Sequence, residues 1–191
     1  DLNNDGVIDD DDRTFIGSPH PDFTYGINLT MGYKGFDMSA FFQGSQGNEI
    51  FNNDRVYTDF PTFPNANRST RVLDSWTPDN TDAELPALSW SISNNESNAN
   101  SFFVEDGSYM RLKNLQIGYT FTEKVSSYMG MDSVRFYLQG TNLFTITDYK
   151  GVDPELPPRF VNGSIDNLTI GVSDNNYPIA SIYSFGVNLK F

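Results

Sequence analysis

"FTYGINLTMGY", residues 23–33, alternates without a break. Phe23, Tyr25, Ile27, Leu29, Met31 and Tyr33 fall on one face of an extended chain, and Thr24, Gly26, Asn28, Thr30 and Gly32 on the other. Successive side chains of a strand point to opposite faces, so a period of two sustained over this stretch predicts a β-strand. The length exceeds the usual strand of a soluble sheet and suits a tilted strand that crosses a bilayer. Both ends of the apolar face are aromatic, as in a girdle at a membrane interface.

The pattern repeats outward from there. A tight connection at Lys34-Gly35 leads into "FDMSAFFQGSQG", where Phe36, Met38, Ala40 and Phe42 share a face opposite Asp37, Ser39, Phe41 and Gln43, which reads as a hairpin. In "SYMRLKNLQIGYTF" (108–121), Leu115, Ile117, Tyr119 and Phe121 alternate with Asn114, Gln116, Gly118 and Thr120. Met110 and Leu112 have the opposite parity, which predicts a bulge or a change of environment near Lys113. A fourth strand, "SVRFYLQGTNLFTIT" (133–147), sets Val134, Phe136 and Leu138 against Arg135, Tyr137 and Gln139. The chain ends on "SIYSFGVNLKF", in which Tyr183, Phe185, Val187, Leu189 and Phe191 alternate to the last residue.

Short connections near 34 and 123–132 alternate with long polar ones at 47–105 and 148–178. That sorting matches a transmembrane barrel with short turns at one rim and long loops at the other, and a soluble β-sandwich has no reason for it. The long 47–105 stretch shows no periodicity, and a connection of that size is usually functional. No run approaches the roughly 20 apolar residues of a membrane helix, which is no objection, since barrel strands never show one.

Composition narrows the function. With 25 acidic against 12 basic residues and a net charge of -13, the chain is a poor partner for nucleic acid, which needs clustered Lys and Arg. Cysteine is absent, so there is neither a disulfide framework nor a thiol nucleophile. The single histidine, His20, lies between prolines in "SPHPDF" and reads as an exposed loop residue; no catalytic set can be built on it, and no enzyme activity is expected.

The opening "DLNNDGVIDDDD" fits the calcium-loop template D-x-[DN]-x-[DN]-G, with Asp1, Asn3 and Asp5 as side-chain ligands, Gly6 at the turn, Val7 through its carbonyl, then Asp9 and Asp12. Aspartate at the twelfth position has a shorter reach than the usual bidentate glutamate and predicts a weaker Ca2+ site with a structural role. A solvated Asp/Asn-rich loop is the plain alternative. Tyr57, Phe60, Phe63, Trp76 and Trp90 in the long loop suit either contact with a sugar or lid protein or packing that orders the loop.

Several segments carry a resemblance. "IGSPHPDFTYGINLTMGYKGFDMSAFFQGSQGNEIFN", "SWTPDNTDAELPAL", "VEDGSYMRLKNLQIGYTF", "VRFYLQGTNLFTITDYKGVDPE" and "YSFGVNLKF" are similar, in this order, to the C-terminal portion of SusC/RagA-family TonB-dependent outer-membrane transporters. The resemblance implies an all-β fold, an antiparallel transmembrane β-barrel segment forming roughly the last five strands of a 22-stranded barrel in the cell outer membrane. It implies active import of oligosaccharides or peptides, a SusD-like lipoprotein as lid, and coupling to TonB through an N-terminal region this chain lacks. On that topology residues 1–21, 47–105 and 148–178 are extracellular loops of a 1–191 barrel piece. Thr24, Asn28, Asp37, Gln43, Asn114, Gln116, Arg135 and Gln139 face the lumen, and the opposite face meets outer-membrane lipid. Tyr183, Phe185, Val187, Leu189 and Phe191 resemble the terminal signal read by the barrel assembly machinery. The competing reading is a soluble calcium-binding β-module that recognises a surface ligand.

Overall fold

The computed structural model describes residues 1–7, 9–60, 67–89, 98–158, 160–161 and 164–191. Strands β1 (Phe23–Tyr33) and β2 (Phe36–Gln46) form a hairpin on Lys34 and Gly35, whose φ angles of 46° and 88° are both left-handed. Two such residues make the turn whose twist matches that of the strands, and glycine takes its position there without strain. Next come β3 (Glu49–Asn52), helix α1 (Asp54–Asp59), β4 (Val104–Asp106) and β5 (Tyr109–Thr120). Helix α2 (Glu123–Tyr128) precedes β6 (Ser133–Thr141) and β7 (Thr145–Thr147). The short pairs β8 (Phe160–Val161), β9 (Ser164–Ile165) and β10 (Val172–Ser173) lead to the last strand, β11 (Ile182–Lys190).

The main sheet runs β1-β2-β5-β6-β11, with every neighbour antiparallel and β7 paired to the end of β5. Its register aligns the alternating residues into rows across all five strands. Met31, Met38, Ile117, Leu138 and Phe185 make one row, and Tyr33, Phe36, Tyr119, Phe136 and Val187 another. On the other face Thr30, Ser39, Gln116, Gln139 and Ser184 align. Each strand therefore contributes its apolar residues to the same side, because a slip of one residue would exchange the faces.

The expected bulge is present. Phe41 faces Asn114 while Phe42 faces Leu112, so Lys113 is the extra residue, and it returns Leu112 and Met110 to the apolar face. The apolar face is open: Met31, Leu138 and Phe185 are 67, 63 and 66% exposed. A continuous apolar sheet face of this kind is what a lipid-facing wall requires. Near the short-turn end the rings of Phe36, Tyr119, Phe121, Phe136 and Phe185 form a continuous ribbon, with successive centroids 4.5, 5.3, 5.7 and 5.9 Å apart.

The buried core lies elsewhere, in the long connection. Val56, Phe60 and Phe103 cluster there, with Phe51 and Phe102 against them, under a small sheet in which β10 is parallel and β4 antiparallel to β3. The 47–105 stretch is thus not the structureless connection its lack of periodicity suggests, and the 123–132 connection carries a helix. Among the described residues no helix is long and apolar enough to cross a membrane.

Candidate functional site

The register brings all eight polar candidates, Thr24, Asn28, Asp37, Gln43, Asn114, Gln116, Arg135 and Gln139, to one face of the sheet. Four of them are joined. Arg135 donates two hydrogen bonds to the Asp37 carboxylate, at 2.9 and 2.5 Å, and one to Gln116 Oε1 at 3.0 Å. Gln116 in turn donates to Gln139 Oε1 at 3.3 Å. The guanidinium also lies over the Tyr137 ring, 5.1 Å from its centroid. Gly118, between these strands, makes room: a Cβ there would overlap the Arg135 guanidinium and sit 2.7 Å from Asp37 Oδ1. The Tyr137 ring covers Gly186 in the same way, so large side chains lie flat along the wall. This face offers charge-assisted hydrogen bonds and ring surfaces to whatever passes, and it supplies no nucleophile with a base.

The opposite end of the strands carries a rim held by ion pairs. Asp59, with a fully buried side chain, accepts from Arg55 Nε at 2.8 Å and from Arg71 Nη2 at 2.9 Å. Arg55 also reaches Glu105 at 3.1 Å and Glu84 at 3.2 Å, and it stacks on Phe102 at 4.4 Å. Burial alone would raise the Asp59 carboxyl, but Arg71 and Arg55 outweigh it and hold it below the ordinary aspartate value. Lys150, from the second long loop, bonds to Glu84 at 3.1 Å and holds its carboxyl low as well.

A second cluster explains "YKGVDPE". Buried Arg111 binds Asp153 at 2.6 Å and Glu155 at 2.8 Å, and the bulged Lys113 binds Glu155 at 2.6 Å. Asp153 also accepts from the Ile179 amide at 3.1 Å, which ties the approach to β11 to the same knot. Burial pushes the neighbouring Tyr149 hydroxyl up to about 12. These residues were invisible as a site in sequence, because their partners lie some forty positions away.

The first twelve residues close on themselves. The Asp1 carboxylate accepts the amides of Asp5 and Gly6 at 3.1 and 3.0 Å, Asp5 accepts that of Val7 at 2.8 Å, and Asp12 accepts that of Asp9 at 2.9 Å. Gly6 has φ +86°, the turn the calcium template requires, and the amides of Asp9 and Leu2 hold the Asp12 carboxyl low. Among the described residues, however, no three His, Cys, Asp or Glu side chains are gathered as a metal group, so the turn fits Ca2+ better than the ligand set does. The loop faces Trp76, Glu84 and Phe102 across an open groove. Phe60 belongs to the rim core and also borders this groove, while Trp76 and Tyr57 are 42 and 40% exposed. Phe63 and Trp90 lie outside the described residues. His20 is exposed, as expected.

A run of antiparallel strands with a polar wall, an exposed apolar wall banded by rings, and long structured loops at one end defines a segment of a transmembrane β-barrel. No family model matches the chain. Over its whole length it is 41% identical to TonB-dependent receptor P3 of Formosa agariphila and 32% identical to TonB-dependent receptor SusC of Bacteroides thetaiotaomicron. It spans 18 and 17% of those relatives. Among solved structures it matches the RagAB peptide importer in its open-open state with a TM-score of 0.70 and 30% identity, over 90% of this chain and 17% of that one. The closed-closed state gives a TM-score of 0.71 at 29% identity, over 92% of this chain and 18% of that one. Along its whole length the chain thus resembles a segment of the barrels of TonB-dependent receptors, SusC and the RagAB importer among them.

Proposed function

We propose that the chain forms part of the wall and outer rim of an outer-membrane active transporter that imports oligosaccharides or peptides, works with a SusD-like lipoprotein lid and is energised through TonB. The observation that carries this is identity of 32–41% along the entire chain to TonB-dependent receptors, combined with a register that keeps every polar candidate on one face. In this reading the Asp37–Arg135–Gln116–Gln139 face lines the lumen and the apolar face meets lipid. The loops at 1–21, 47–105 and 148–178 stand outside the cell as the seat of the lid, and the alternating end Tyr183–Phe191 serves assembly. The relatives are named as receptors and an importer, which supports transport and not catalysis.

The proposal includes structural Ca2+ at Asp1, Asn3, Asp5, Val7, Asp9 and Asp12, supported by the left-handed turn at Gly6. Titration calorimetry on the full-length transporter should then show calcium binding that Asp1→Ala with Asp5→Ala abolishes; binding unchanged by that pair would remove the ion from the reading.

The test of transport uses the full-length gene in its host. Cells should take up labelled oligosaccharide or peptide in an energy-dependent way that is lost with the gene, lost without TonB, and accompanied by co-purification of a SusD-like lipoprotein. Leu29→Asp with Ile117→Asp, which puts two carboxylates on the lipid face, should block outer-membrane assembly. Normal assembly of that double variant would overturn the barrel placement, and unchanged uptake in the deletion strain would overturn the transport.

A further inference from the structure

The helical turn between β5 and β6 does something its length does not require. A short turn would join these antiparallel strands, yet residues 122–132 build α2 and end it on Gly130 at φ +73°, with Met131 N–H donating to Ser126 C=O and Gly130 N–H to Ser127 C=O, both at 3.0 Å. That pair of bonds is the glycine-terminated helix stop, so the knuckle is a defined structure.

Its position is set by Val134. This residue shares a face with Phe136 and Leu138, and pairs with Leu189, on the side of the sheet where Met31, Leu138 and Phe185 are open. Val134 is 0% exposed, whereas Leu138 and Leu189 are 63 and 48% exposed. The helix packed on β6 at this end is α2, so the knuckle folds against the apolar side of the wall. Its own apolar side chains then point away from the protein: Tyr128 is 94% exposed, Met129 47% and Val125 42%. The ring ribbon of Phe36, Tyr119, Phe121, Phe136 and Phe185 lies at this same end of the strands. Glu123, Lys124 and Asp132 are exposed on the same knuckle, and Asp132 pairs with Lys190 at 3.8 Å.

An exposed tyrosine beside methionine and valine, just beyond an aromatic girdle and flanked by charges, has the amphipathic profile of groups that settle at the headgroup level of a bilayer. We propose that α2 is an interfacial foot: Val125, Tyr128 and Met129 rest in the headgroup and upper acyl region of the phospholipid leaflet at the short-turn end, while Glu123 and Lys124 stay in water. The foot extends lipid contact beyond the strands and seals Val134 beneath it. It rests on the barrel fold alone and is independent of the substrate.

The chain has no cysteine, so spin labels can be placed at will in the full-length transporter once any other cysteine is replaced. Tyr128→Cys, Met129→Cys and Lys124→Cys variants, labelled and reconstituted in phosphatidylethanolamine–phosphatidylglycerol bilayers, should divide. Labels at 128 and 129 should be mobile, favour oxygen, and be several-fold less accessible to a water-soluble nickel complex than the label at 124. Nickel accessibility at 128 equal to that at 124 would overturn the proposal, placing the knuckle in water. Immobilised labels shielded from both reagents would overturn it too, placing the knuckle against another part of the protein. All three sites are exposed, so the substitutions leave the fold intact.

Discussion

Replacing Asp59 by alanine is the sharpest probe of the rim. Its carboxylate is fully buried and receives Arg55 and Arg71 together, and Arg55 is itself only 2% exposed. Alanine leaves Arg55 with Glu105 and the half-exposed Glu84 but strips its buried Nε donor of its acceptor, while Arg71, 33% exposed, can turn to water. Breaking a buried pair by removing one partner costs about 3–5 kcal/mol, which at ~1.4 kcal/mol per tenfold raises local opening by roughly two to three and a half orders of magnitude. Glu84→Gln is the comparison. Its ion pairs are half exposed, and loss of such a pair costs at most about 1 kcal/mol, roughly fivefold. Hydrogen exchange on the full-length transporter in bilayers reads both. With Asp59→Ala, amides of Asp54–Phe60 and Ser101–Asp106 should exchange far faster, while the β1, β2 and β6 ladders keep their protection. An Asp59→Ala effect below tenfold would refute the claim that this pair holds the rim.

Gly118→Ala should separate Arg135 from Asp37, because the new methyl overlaps the guanidinium; a wall assembled normally but with altered uptake selectivity is expected, and an unchanged Arg135–Asp37 contact in a structure of the variant would refute it. Deleting Lys113, the extra residue, should leave Leu112 and Met110 on the apolar face and turn β5 into a regular strand, so outer-membrane assembly, measured by heat-modifiable migration, should persist; lost assembly would show that the bulge does more than set parity. Acid should loosen the rim: Asp59 and Glu84 are held below their ordinary values, so their contribution is complete above the unfolded values of about 3.9 and 4.3 and is lost as pH falls through the folded ones. Protection of the rim amides, corrected for the intrinsic exchange rate at each pH, should therefore stay constant from pH 7 to about 5 and fall below about 4; a fall already at pH 6 would point to other groups.

Most of the wall was legible in the sequence, and the reason is physical. Each strand has one face in an apolar medium, so Phe23 to Tyr33 must alternate, and even the bulge shows as the parity change between Leu112 and Leu115. The rim was not legible. Its strands are two to four residues long, its helix six, and its order comes from pairs such as Arg55–Glu105 and Arg111–Asp153 that no local pattern records. The α2 knuckle escaped for the same reason: a six-residue helix is too short to show a period. The polar candidates were found because side-chain parity fixes their face; the hydrogen-bond chain among Asp37, Arg135, Gln116 and Gln139 needed the register between distant strands.

The seam between β3 and β4 bears on how such a wall is made. It continues the β2–β5 ladder: Ser45 faces Tyr109, Gly47 N–H meets Ser108 Oγ, Gly107 N–H meets Asn48 C=O, and Glu49 faces Asp106. Along the chain Gly47 and Ser108 are 61 positions apart, a distant encounter for a growing sheet. Once the small aromatic core around Phe103 has formed, the ends of that span are already side by side, and β5 can zip onto β2 as if across a hairpin. Shrinking the effective loop from 61 positions to a handful removes about 2 kcal/mol of closure entropy from the pairing step. A low effective contact order at this seam shortens the time that β2 stands with an unpaired edge, the interval in which a nascent barrel is most open to aggregation.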